Sequence, residues 1–386
     1  MGEQIPRRTL ADFVKEQKLR SRRAPMQGTL ETTFRCNLKC VHCYVNKAVG
    51  DAEERARELP TERVLKLIDE IADAGCLELL LTGGEVLVRP DFEEVYLHAL
   101  KRGLLVIVFT NGTMVTERLA NFFAEHKPLR IEISLYGMTP ETYERVTDVP
   151  GSWEKCMRGI ELLLARDVPM KLKTMVLTWN MHELEAMRAF AAERGLEFRY
   201  DGFLNPRVDC GSNRNGELQV DPEALLALDL KDPERMQSFK QFCERFVTKD
   251  KVEPRERVYN CGAGQTSFTV EPSGKLQLCQ LSRRASFDLK TGSFDTGWNE
   301  VFPALREKKW QSNAVCRSCN LTSLCANCPG AAEMETGSLE GVIEGFCRAT
   351  HLRAWAVLKE KSGHKRDGSC CLAKPREEAL VQLGTP

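Results

Sequence analysis

Between Gly28 and Tyr200, six short apolar runs alternate with five amphipathic stretches of helical length. The runs, read as strands, are Thr29–Phe34, Leu77–Leu81, Leu104–Thr110, Leu129–Leu135, Met170–Leu177 and Leu196–Tyr200. The stretches read as helices are Thr61–Ala74, Asp91–Arg102, Thr116–His126, Trp153–Arg166 and Met181–Arg194, and Gly75, Gly103 and Gly195 stand where C-terminal caps stand. Strand–helix repetition implies a parallel sheet with right-handed crossovers. Periodicity alone does not separate a six-unit partial barrel from an open doubly wound sheet.

The rest of the chain reads differently. Residues 1–27 hold seven basic and three acidic residues, which suits a solvated arm or a contact arm for an acidic partner. Asp209–Glu217 reads as a loop and Pro222–Val247 as a helical linker. From Asn260 onward the chain is rich in Gly and Cys with few long periodic stretches, the pattern of a small region held by metal rather than a large core. Thr350–Lys361 reads as a helix and the remaining tail as polar. The expected division is 1–27, 28–215, 216–258, 259–350 and 351–386.

Lys plus Arg and Asp plus Glu both number 55, so nothing favours a nucleic-acid partner. No apolar run approaches the ~20 residues that span a bilayer, and the N-terminus lacks the apolar core of a signal peptide. The expectation is a cytoplasmic protein with no membrane contact. Sixteen cysteines then point to metal or chemistry rather than disulfides.

Three of them form Cys36-Asn-Leu-Lys-Cys40-Val-His-Cys43, directly after the first strand. Sites in strand–helix folds are built at that end of the strands. Ordinary 4Fe–4S clusters use four cysteines, so three leave one iron open. Zinc more commonly shows paired C-x-x-C halves.

This C-x3-C-x2-C spacing resembles the signature of the radical SAM superfamily, and the resemblance runs through residues 28–200. It implies a partial (β/α)6 TIM-like barrel. Gly83-Gly84-Glu85 looks like the family's GGE motif, whose backbone and carboxylate bind the amino group of the methionine moiety. Thr110-Asn111-Gly112 ends the third strand as a similar Asn-Gly does in relatives, Ser134 ends the fourth where relatives place a polar contact to the cofactor's ribose or carboxylate, and Lys173 lies on the fifth within reach of the carboxylate. His42 and Tyr44 are expected to pack around the cluster. By the same resemblance, the open iron chelates S-adenosylmethionine, and reductive cleavage gives a 5′-deoxyadenosyl radical that abstracts hydrogen from the substrate.

The second group runs Cys261, Gly274-x4-Cys279, Cys316-x2-Cys319-x5-Cys325-x2-Cys328 and Cys347. It is similar to the SPASM domain, a cysteine-rich iron–sulfur domain that usually carries two auxiliary 4Fe–4S clusters. The resemblance assigns Cys316, Cys319, Cys325 and Cys347 to one cluster, and Cys261, Cys279 and Cys328 to the other. A zinc ribbon would separate its cysteine pairs by ~15–20 residues, and five is short for that. Two residues separate Cys325 from Cys328, where relatives usually have three. The Cys261 group has an open iron or recruits Cys243 or Cys210. Gln280 stands where relatives that dehydrogenate a Ser or Cys side chain have an Asp, and Gln is no general base. Cys76 and Cys156 read as core thiols, and Cys370 and Cys371 are unassigned.

Three activities compete: maturation of a ribosomal peptide or protein, the same radical chemistry on a small metabolite, and a non-catalytic electron carrier. Gly83-Gly84-Glu85 argues against the carrier, which has no use for a SAM pocket. A flavodoxin or ferredoxin is the expected reductant. With 27 residues before the first strand, a peptide leader is expected to bind the barrel itself or a separate protein.

Overall fold

The computed structural model describes residues 23–45, 47–208, 215–247 and 252–358. Nine strands make one sheet: β1 Gln27–Thr33, β2 Glu78–Gly83, β3 Leu105–Thr110, β4 Arg130–Ser134, β5 Met170–Met175, β6 Glu197–Asp201, β7 Ser267–Val270, β8 Lys275–Gln277 and β9 Ser286–Asp288. Their spatial order is β9-β8-β7-β1-β2-β3-β4-β5-β6. The first six are parallel and sequential. A doubly wound sheet would reverse its order at a switch point. Sequential right-handed crossovers instead keep every helix on one face, as in a partial barrel.

Those helices are α1 Thr61–Asp73, α2 Phe92–Lys101, α3 Glu117–Glu125, α4 Pro140–Thr147, α5 Ser152–Leu164 and α6 Leu184–Glu193. In α1 the buried residues Val64, Leu67, Ile68 and Ile71 follow i, i+3, i+4, i+7, the stripe of a helix lying on a sheet. Helix α4 is not among the helices expected from periodicity, although Thr139 caps its N-terminus and Pro140 stands in its first turn. That pattern was the available signal.

Beyond the barrel, α7 Pro222–Leu230 and α8 Pro233–Phe246 replace the single linker helix expected there. Pro233 begins a new helix because it cannot continue the old one. α9 spans Pro329–Thr336, and α10 Glu344–Leu358 begins six residues before the expected Thr350. α10 packs on α7 and α8. The fully buried carboxylate of Asp229 joins them, accepting from Arg235 Nε (2.7 Å), Arg353 Nε (2.7 Å) and Tyr200 Oη (3.0 Å).

The C-terminal region differs most from expectation. Strand β7 runs parallel beside β1, pairing Gln27 with Ser267 and Leu30 with Val270. Phe268, Val270, Leu276, Phe294, Trp298 and Phe302 join the same buried cluster as the barrel residues. The first half of this region is therefore an extension of the barrel core. Its apolar residues are spread over short segments, so no periodicity announced them. No described helix is long and apolar enough to cross a membrane. Cys210, Cys370, Cys371, residues 1–22, most of the 209–217 loop and the tail beyond 358 lie outside the described residues.

Candidate active site

The pairing of β1 with β2 slips between Glu31 and Thr33, a bulge that re-aims the chain at the end of the strand. The cysteine triplet follows. Arg35–Cys36 pairs with Lys47–Ala48 and closes the loop at its base. Inside the loop, the Lys39 and Val41 N–H groups donate to the carbonyls of Thr147 and Val146 at the end of α4, at 2.9 and 3.0 Å. Leu38 and Val45 are buried and hold the loop down.

Facing it across β1 is Gly83-Gly84. A Cβ on Gly83 would lie 2.0 Å from the Thr33 carbonyl oxygen, and one on Gly84 would lie 2.4 Å from that of Arg35. Gly83 also has φ +141°, where side chains are strained. Only glycines let the two backbones approach this closely.

The triplet and these glycines line a cavity of about 340 Å³ at the C-terminal ends of the strands. Asn111, Ser134 and Lys173 line it too. Ser134 and Lys173 are register partners on β4 and β5. Asn111 Nδ2 donates to Cys36 Sγ (3.8 Å) and Asn37 Oδ1 (2.9 Å). Lys173 lies over the Phe109 ring and 3.9 Å from Glu132. Burial holds its amine well below the ordinary lysine value, against the pull of Glu132.

Glu85 does not line the cavity. It is fully buried behind the wall, accepting from Thr110 Oγ1 (2.7 Å), Asn111 N–H (2.7 Å) and Leu87 N–H (3.1 Å). Its visible work is to pin the end of β3, which presents Asn111. Residues the sequence reading missed also line the cavity: Arg199, Asp201 and Asn205 at the end of β6. Their position at a sixth strand end was the available signal.

Gln280, from the C-terminal region, lines the same cavity. Its Nε2 donates to Glu31 Oε1 (3.0 Å) and to Tyr44 Oη (2.9 Å). A carboxylate only accepts, so the amide cannot be turned around. With both amide protons engaged, Gln280 offers the cavity a single group, the acceptor Oε1. Tyr44 itself donates to Glu31 Oε1 at 3.0 Å, and burial followed by the Glu31 charge pushes its phenol well above the ordinary value. His42 stacks edge-on against Tyr136, and burial lowers its imidazole to about 4.

The structure gathers the seven cysteines from Cys261 to Cys347 into two sets. Cys316, Cys319, Cys325 and Cys347 line one small cavity with His351. Cys261, Cys279 and Cys328 are close enough to perturb one another electrostatically. Cys243 is buried on α8 and feels only its own burial and Glu244. Cys76 and Cys156 are buried, as expected, with thiols pushed up to about 12, chiefly by desolvation.

The donor chemistry fits iron–sulfur clusters. Backbone N–H groups point at sulfur in every set: Leu38 at Cys36, Leu321 at Cys319, Asn327 at Cys325 and Ala331 at Cys328, each at 3.4 Å. Such bonds stabilise thiolate charge and tune bound clusters. Desolvation and then Glu85 push Cys36 up to about 12, and desolvation and then Cys43 raise Cys40. Thiolates here need a cationic group to neutralise them.

Comparison with known proteins agrees with this geometry. Residues 30–191 match the model of the Radical SAM superfamily. The AdoMet-dependent heme synthase of Methanosarcina barkeri is 28% identical over 81% of this chain and 94% of that protein. Mycofactocin maturase MftC of Mycolicibacterium smegmatis is 29% identical over 92% of this chain and 91% of that protein. The fold resembles SuiB of Streptococcus suis, solved with S-adenosylmethionine (TM-score 0.63, 14% identity, 89% of this chain and 82% of that one). SuiB has also been solved with its precursor peptide SuiA, again at TM-score 0.63 and 14% identity, covering 88% and 82%.

Proposed function

We propose that this chain is a radical SAM enzyme of the SPASM type and that it uses S-adenosylmethionine to modify a peptide. The observation that carries the reading is the cysteine triplet facing Gly83-Gly84 across one cavity. Cys36, Cys40 and Cys43 hold a 4Fe–4S cluster with one open iron. Cluster and S-adenosylmethionine together supply a 5′-deoxyadenosyl radical, which the protein need only aim.

The chain's own residues do the aiming. Gly83 and Gly84 bring backbone carbonyls to the amino group of the methionine moiety. Ser134 and Lys173 receive its carboxylate, and the Lys173 amine is held against Phe109 so that its approach is fixed. Asn111 orients both Cys36 and Asn37. Glu85 acts through Asn111 and the end of β3. Leu38, Leu204 and Met175 give the cavity apolar walls that exclude water. Gln280 Oε1 accepts a hydrogen bond from a substrate N–H, which suits an extended peptide. It cannot serve as a base.

Two auxiliary 4Fe–4S clusters complete the proposal, one on Cys316, Cys319, Cys325 and Cys347, the other on Cys261, Cys279 and Cys328. A flavodoxin or ferredoxin supplies the electron. The working division is a radical SAM core over residues 28–215, a linker to 258 and a SPASM region over 259–350. The peptide reading draws on MftC and on SuiB with its precursor peptide. The heme synthase relative favours a second reading, the same chemistry on a small metabolite.

The test is anaerobic reconstitution, addition of S-adenosylmethionine and dithionite, and mass spectrometry of 5′-deoxyadenosine. Any short peptide encoded beside the gene is then added and its mass followed. Cleavage equal in wild type and Cys40→Ala refutes the radical reading. Cleavage that alters a metabolite fraction but no peptide favours the second reading.

A further inference from the structure

Glu31 is an odd residue to find on a barrel strand. Its carboxylate has no exposed surface, yet nothing in the β1 ladder requires it. Three side chains from two separate segments converge on it. Tyr44, next to Cys43, donates to Oε1 at 3.0 Å. Gln280, next to Cys279, donates to the same oxygen at 3.0 Å. Arg283 Nη2 lies 2.9 Å from Oε1 and 3.0 Å from Oε2. Arg283 also reaches Glu271 in the β7–β8 turn (3.4 Å), and its guanidinium lies over the rings of Phe34 and Tyr44.

The arrangement ties together the triplet loop, the first barrel strand and the segment that carries Cys279. Glu31 and Arg283 are 252 residues apart in sequence. Isolated burial of either charge would be costly, so the pair persists only if both loops keep their places. The Tyr44–Gln280 hydrogen bond of 2.9 Å crosses the same junction at the cavity wall.

We propose that Glu31 and Arg283 are a positioning pair that holds the cysteine-triplet loop in register with the Cys279 segment, so that the SAM end of the cavity depends on a residue of the C-terminal region. The inference rests on the cluster and cofactor reading given above. It assigns no chemistry to the pair. Arg283 acts through Glu31 and Tyr44 on the loop that ends at Cys43.

A matched control is available in the same fold. Arg63 also ties the barrel to the C-terminal region, donating to the carbonyls of Leu289 (3.0 Å) and Gly292 (3.3 Å) and to Glu70 (3.0 Å). Its side chain is 17% exposed against 11% for Arg283; neither lines the cavity, but Arg283 lies against Glu31 and Tyr44 while Arg63 bonds to Glu70, Leu289 and Gly292.

The experiment compares reconstituted full-length wild type, Arg283→Met, Arg283→Lys and Arg63→Met. Each is titrated with S-adenosylmethionine, and the reduced protein is followed by electron paramagnetic resonance. Arg283→Met is expected to weaken S-adenosylmethionine binding roughly fivefold or more, at the lower end of typical site–site couplings. The same variant should alter the SAM-induced change in the barrel-cluster signal while keeping wild-type iron content. Arg283→Lys should recover part of both. Arg63→Met should lower the thermal midpoint without moving either. Wild-type affinity and signal in Arg283→Met overturn the proposal, as does an equal shift in Arg63→Met. If Arg283→Met fails to fold, Gln280→Leu, which removes a contact but no charge, must shift both readouts in the same direction, and no shift overturns the proposal. A wild-type protein with no SAM-dependent signal at all would instead refute the cluster and cofactor reading.

Discussion

Phe268 tests whether the C-terminal region is held by apolar packing or by metal. Its ring is 1% exposed in the middle of β7. It meets Phe294 at 4.7 Å and Trp298 at 6.0 Å between ring centroids, and its Cζ would lie 2.5 Å from a Cβ on Gly28 of β1. The ring therefore fills the seam where the C-terminal region joins the barrel. Phe268→Ala deletes six buried ring carbon atoms that rigid neighbours cannot replace, at a cost of about 3–5 kcal/mol. At 1.4 kcal/mol per tenfold, that speeds amide exchange in β1 and β7 by roughly two to three and a half orders of magnitude if those strands exchange by opening the seam. Cys319→Ala makes the contrast. Its loop lies beyond Trp310, outside the aromatic cluster, so exchange should rise over roughly residues 311–351 and leave 263–306 protected. This is narrower than the sequence alone suggests, where the whole region from Asn260 depends on metal. Hydrogen exchange with mass spectrometry on reconstituted protein reads both. Exchange in Phe268→Ala within tenfold of wild type, or opening of 263–306 in Cys319→Ala, refutes the reasoning.

Cys40→Ala should abolish 5′-deoxyadenosine formation and remove about a third of the iron, since one of three proposed clusters is lost; iron assay and mass spectrometry check both. Glu85→Gln turns an amide N–H toward the Asn111 or Leu87 N–H, so calorimetric titration should show weaker S-adenosylmethionine binding with near-normal iron, and the unmet buried donors should cost about 1–3 kcal/mol. Asp229→Ala strands Arg235 and Arg353, a loss of about 3–5 kcal/mol that should appear as a lower thermal midpoint and early proteolysis at α10. Burial alone would raise the Glu183 carboxyl, but bonds from Thr139, Thr142 and the Met138 and Thr139 N–H groups hold it below its ordinary value. Its stabilisation of α4 is thus full above about pH 5, just over the free glutamate value of ~4.3, and fades as pH falls through the lowered folded value. Glu183→Gln at neutral pH should mimic the acid state, and exchange at Lys39 and Val41, which α4 anchors, reads it.

The sequence by itself determined what local chemistry can write. Six parallel strands were legible because each is a short apolar run beside a helix with a one-sided stripe, such as Val64, Leu67, Ile68 and Ile71. The triplet was legible because its spacing is a property of one loop, and Gly83-Gly84 because close backbone approach admits no side chain. The cysteine partition came from resemblance, not from any rule of spacing. Tertiary structure alone decided the rest. Periodicity cannot choose between barrel and doubly wound order, since both use the same strand–helix unit. Strand β7 has four residues and no amphipathic length, so only its fit beside β1 makes it a strand of the barrel sheet. The resemblance of Gly83-Gly84-Glu85 to the family motif, with a carboxylate that suits an ammonium, predicts that Glu85 contacts the ligand. Three hydrogen bonds from neighbouring segments set it behind the wall instead. Gln280 was legible as a residue unable to act as a base, but not as a fixed acceptor. That role depends on Glu31, 249 residues away, and a contact across that distance leaves no mark on the sequence around either partner.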